Sequence, residues 1–119
     1  MDTILMIVVA LVFNVTDYVT GFIGALKTKS VNSTKLRDGL FKKVGFILCY
    51  FLGFMVDTNG WRVGINLDFD VLPFIIAYVV VTEIVSIVEN IAVINPDILP
   101  DKILKLLHIS KEESENEQN

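Results

Sequence analysis

VFNVTDYVTGFIGALKTK, residues 12–29, decides how this chain folds. It is an oily run, yet it carries Asn14 and Asp17 at its centre. The apolar segment around it reads as a span from about residue 4 to 26, long enough to cross a bilayer core. About a dozen Leu, Ile, Val and Phe side chains contribute roughly −4 to −8 kcal/mol to insertion, against about +3 for one central Asp. Insertion wins, so the acidic residue is carried into the membrane and must find a role there.

The whole chain agrees with that reading. Its 119 residues are 53% hydrophobic and 20% charged, with a mean hydropathy of +0.61. A small soluble domain this apolar could not cover its own surface. The net charge of −4 gathers in the last residues, KEESENEQN, and no basic face suits nucleic acid. Cys49 is the sole cysteine, so no internal disulfide forms. The first residues, MDTIL, lack a basic region and no small-residue cleavage site follows, so the first span reads as retained.

Two more spans follow. The second is expected over about residues 40–58. Its purely apolar run is short, and Lys42 and Lys43 extend it by snorkelling to the interface. Asn32 or Ser33 offers a helix N-cap upstream, for a short interfacial helix leading into the span. The third is expected over about 70–94, with Pro73 in its first turn. Its Glu83 and Glu89 nearly balance its apolar gain, at about 5 to 7 kcal/mol for two central carboxylates. Asn95 suits a left-handed C-cap, and Pro96 ends the helix. Leu99, Ile103, Leu106 and Leu107 then fall at helical spacing, predicting a short amphipathic helix over about 97–109. The acidic residues 111–119 read as a disordered tail. The fold class is therefore all-α: a multi-pass membrane unit over residues 1–110, followed by that tail.

Lysine and arginine set the expected orientation. Lys27, Lys29, Lys35, Arg37, Lys42 and Lys43 cluster around the first loop, while the second holds Arg62. Positive residues stay inside, which places the N-terminus outside and the C-terminus in the cytoplasm.

Polar and small residues recur on single faces. Asn14, Asp17, Gly21 and Gly24 share one side of the first helix, and Glu83, Ser86 and Asn90 one side of the third. Such stripes are either static contacts within one chain or seams between copies and walls of an aqueous hole. Gly45, Cys49 and Gly53 form a small-residue ridge suited to close helix packing. Glu89 lies at the depth assigned to Lys42 and Lys43, so an ion pair with either is a candidate contact. Asp17 and Glu83 fall near the mid-plane, where no basic residue is expected. They are then either neutral there or await water, expensive in a lone chain in lipid and cheap where several copies turn these faces to a water-filled lumen.

Catalytic chemistry finds no footing. His108 stands alone, no His/Cys cluster has metal-ligand spacing, no Gly-rich loop cradles phosphate, and no nucleophile has a base. No cofactor and no enzymatic activity are expected. A small ion channel or transporter subunit is an alternative reading of the buried carboxylates.

Three blocks, in order, resemble the toxin-secretion and phage-lysis family of bacteriophage holins. They are DYVTGFIGALKTKSVNS (17–33), GLFKKVG (39–45) and EIVSIVENIAVINPDILP (83–100). The matching positions include Asp17, Thr20, Gly21, Ala25, Ser33, Gly39, Lys42, Lys43, Glu83, Ser86, Glu89, Asn90 and Pro100. Asn95 departs from the family's usual Gly, though Asn also tolerates a left-handed turn. The resemblance implies a homo-oligomer in the bacterial cytoplasmic membrane. It implies holes that release an endolysin, or a large toxin in toxin-linked members.

Overall fold

The computed structural model describes residues 2–103, 105 and 106. They form an all-α fold with three helices long and apolar enough to cross a membrane. These are α1 (Thr3–Lys27), α2 (Ser33–Asn59) and α3 (Leu72–Ile94). A short 3-10 turn over Gly60–Val63 follows α2, and another over Pro96–Ile98 follows α3.

Each helix end is closed by an identifiable group. The Asp2 carboxylate accepts from Ile4 N at 3.0 Å and starts α1. Asn32 Oδ1 accepts from Thr34 N and Lys35 N and starts α2. Between them, α1 ends in a Schellman turn. Ser30 N donates to Ala25 O and Lys29 N to Leu26 O, with Lys29 in the left-handed region at φ 55°. α3 has no cap from its own N-cap residue. The α2 residue Asp57 supplies one, accepting from Val71 N at 2.7 Å and Leu72 N at 2.8 Å. Pro73 in the first turn has no N–H to satisfy.

Some boundaries differ from the sequence expectation. α2 begins at Ser33 and so includes NSTKLRD apart from its cap, giving 27 residues where a shorter span was expected. Asn95 ends α3 at φ −150° and ψ 89°, outside the left-handed region. Its side chain instead accepts from Asp97 N and starts the next turn. Of the expected amphipathic helix, Leu99 and Pro100 are not helical, and helix resumes over 101–103 and 105–106. The rest of it, with the acidic tail, lies outside the described residues.

The packing suits lipid. The buried apolar core is small: Ala10, Tyr50, Leu72, Ile76 and Val79. Met6, Leu11, Phe46 and Ile75 pack around it. Most large apolar side chains, such as Val12, Leu48, Phe51 and Val81, face outward. In water that exterior would be untenable; in hydrocarbon it has no transfer penalty. α3 lies along α1 in the most extensive of the interhelical contacts. α2 closes on α3 near its far end. There a Cβ on Gly53 would come within 2.9 Å of Ile75 Cδ1 and 3.2 Å of Leu72 Cα.

Candidate functional site: a charge cluster inside the helix bundle

Helix register brings the polar residues together. Asp17 lies ten residues before the end of α1, Lys43 ten after the start of α2, and Glu83 eleven before the end of α3. The helices alternate in direction, so those three ends share one side. At 1.5 Å per residue all three groups sit at about 15 Å depth.

They meet there. Lys43 Nζ lies 2.5 Å from Asp17 Oδ2 and 2.6 Å from Glu83 Oε2. Glu83 is fully buried, and Lys43 is 8% exposed. Asn14 Nδ2 donates to Glu83 Oε2 at 3.1 Å. Tyr50 OH donates to Asn14 Oδ1 at 2.8 Å. Asn90 Nδ2 donates to Asp17 Oδ1 at 3.1 Å and reaches Thr20 Oγ1 at 3.0 Å. One ammonium and two amides thus bind two carboxylates, and Tyr50 holds one of those amides in place. Glu83 Oε1 stays buried with no hydrogen-bond partner among the described residues. Charged hydrogen bonds of this kind are worth roughly twice neutral ones. Removing one partner of a buried pair costs about 3–5 kcal/mol.

The small residues make room for this network. A Cβ on Gly21 would stand 3.5 Å from Asn90 Nδ2, and one on Gly24 would stand 3.4 Å from Val93 Cγ1. The stripe Asn14, Asp17, Gly21, Gly24 therefore forms the α1–α3 contact within one chain. Glu83 and Asn90 face it from α3, and Ser86 borders a cleft beside them. Lys27 locks the same contact by donating to Val93 O at 3.1 Å and Ile94 O at 2.6 Å. There it also offsets the negative end of the helix dipole.

Three expectations are revised by this geometry. A basic residue does sit beside Asp17 and Glu83. Because α2 starts at Ser33, Lys43 is carried a third of the way along the helix instead of lying at its mouth. The candidate pair between Glu89 and Lys42 or Lys43 does not form. Lys43 turns inward, Lys42 lies 5.7 Å from the Phe46 ring centroid, and Glu89 is exposed. On the ridge, Gly53 packs tightly, but Gly45 has nothing within 4 Å of a built Cβ and Cys49 is exposed. Tyr50, Lys27 and Asp57 were not anticipated. Tyr50 had a readable signal: it lies seven residues after Lys43, on the same helix face.

The fold is thus a three-helix membrane unit with one lysine shared between two carboxylates in its interior. The model of the bacteriophage holin family matches residues 1–112. The chain belongs to that family. It is also 32% identical over 76 residues to an uncharacterised protein of Halalkalibacterium halodurans. That match covers 64% of this chain and 56% of the relative, so the chain spans little more than half of that protein. No solved structure matches.

Proposed function

We propose that this protein is a holin that accumulates in the bacterial cytoplasmic membrane, oligomerises and opens holes large enough for an endolysin or a toxin. It performs no covalent chemistry. The carrying observation is membership of the holin family over nearly the whole chain. The fold supports it with an apolar exterior that tolerates storage in lipid. The N-terminus and the 64–70 loop face outward, and the C-terminus faces the cytoplasm, as the lysines around the first loop require.

The charge cluster refines the mechanism. Asp17, Glu83 and Asn90 have partners inside one chain, with Glu83 Oε1 alone unpaired among their buried side-chain atoms, so the resting molecule is not driven to assemble by exposed polar groups. Assembly into a hole exchanges these internal partners for water. α2 is the helix that moves, since its contacts with α1 and α3 are the sparser ones. Freed from α2, the Asp17 and Glu83 carboxylates that Lys43 held line the lumen.

Expression in bacteria together with a cytoplasmic endolysin tests this reading. Lysis that requires both proteins supports it. Narrow, ion-selective currents with the endolysin retained would point instead to a small channel.

A further inference from the structure

The bundle is not equally tight along its length. Near the first loop, α1 and α3 stay in contact through Gly24, Val93 and Lys27. α2 stands off, touching α1 where Tyr18 meets Gly39 and donates to Leu36 O at 3.3 Å. Between them lies an open cleft of about 630 Å³. Phe22, Leu36 and Val93 give it apolar walls, and Ser30 and Asn32 stand among its lining residues near the loop. Asp17 and Lys43 border it as an ion pair, with Lys43 shared with the buried Glu83 behind them. Lys35 and Lys42 also line it, and neither has a carboxylate partner among the described residues.

The cleft therefore combines oily walls with uncompensated positive charge, at the depth where headgroups meet acyl chains. Lys35 lies two residues from the start of α2, level with the interface. Lys42, two turns deeper, can snorkel up toward it. We infer that this cleft binds an anionic phospholipid of the leaflet on the first-loop side. Its phosphodiester lies against Lys35 and Lys42, and one acyl chain lies against Phe22, Leu36 and Val93. Basic pockets between membrane helices recognise acidic headgroups by this chemistry. A zwitterionic lipid brings its own cation and gains less. The site needs only the inserted chain, so it stands apart from hole formation.

The test is lipid selectivity in vesicles containing the full-length protein. Spin-labelled phosphatidylglycerol and phosphatidylcholine are compared by the fraction motionally restricted at the protein. A Phe22→Trp, Trp61→Phe variant reports the same preference through quenching by brominated lipids. Phosphatidylglycerol is expected to win by about fivefold per lysine. Lys35→Gln and Lys42→Gln each remove about one such factor, and Lys→Arg at either position restores it. Lys29→Gln, on the loop and outside the cleft, leaves the preference in place.

Equal association of both lipids overturns the assignment. So does an equal loss with Lys29→Gln, which would mean diffuse surface attraction. Displacement of phosphatidylglycerol by inorganic phosphate would assign the lysines to a free anion. If the indole introduced by Phe22→Trp is shielded from both brominated lipids, protein fills the cleft and the lipid assignment falls. Because lysis is not the readout, failure here leaves the holin reading untouched, and the reverse also holds.

Discussion

Lys43 on α2 and Glu83 on α3 are joined at 2.6 Å in a setting where Glu83 has no exposed surface. The same ammonium holds Asp17 of α1, so one side chain ties all three helices at one depth.

Lys43→Met leaves both carboxylates in the bundle without their counter-ion. The expected loss is about 3–5 kcal/mol, read from denaturant titration of helicity in detergent micelles. The triple variant Lys43→Met, Asp17→Asn, Glu83→Gln should recover much of it, because no uncompensated charge remains. Glu89→Gln, on an exposed side chain, should stay within about 0.5 kcal/mol of the parent. A large effect of Glu89→Gln with none from Lys43→Met would reverse the assignment of the pair.

Tyr50→Phe deletes the donor to Asn14 Oδ1 and little else. An acceptor left unpaired in the interior costs about 1–3 kcal/mol. Asn14→Leu in the same chain should make the second loss smaller than the sum, since the two groups share one hydrogen bond. Strict additivity in that cycle would disprove the contact.

Gly53→Ala and Gly45→Ala should diverge. At Gly53 the new methyl meets Ile75 and the backbone of Leu72, and overpacking of that kind costs about 1–3 kcal/mol. At Gly45 it meets open space, and removing a helical glycine gains about 0.5–1 kcal/mol. Thermal unfolding of the two variants side by side decides the matter.

Asp57→Ala strips the first turn of α3 of both acceptors for Val71 N and Leu72 N. Capping losses run at about 1–2 kcal/mol. Amide exchange at these two positions should accelerate, while the middle of α3 keeps its protection. Unchanged exchange would mean that the carboxylate does not cap the helix.

The span pattern was legible because apolar length alone selects membrane helices. The faces were legible too: helical spacing placed Asn14 with Asp17, and Glu83 with Asn90. What spacing could not deliver was the depth of Lys43. That depended on whether the polar segment NSTKLRD forms a separate short interfacial helix or is continuous with the span, as it is in α2. The cap on Asn32 settles it by satisfying Thr34 N and Lys35 N. A seven-residue shift moves a side chain by about 10 Å along the axis. That distance separates an interfacial lysine from a buried one, and it moved the partner from Glu89 to Glu83. Tertiary capping by Asp57 was hidden for a different reason. Nothing local in α2 announces that its last turn serves another helix.

Gly53 gives α2 a fulcrum. The helix is pressed against Leu72 at that point and stands free of close neighbours at Gly45. From Gly53 back to Ser33 the arm measures about 30 Å, so a tilt of about 10° would sweep its tip through about 5 Å. A modest rotation at one glycine is thus geared into a wide excursion at the basic end of the helix, and the tautness of the Lys43 tether sets how readily that swing begins.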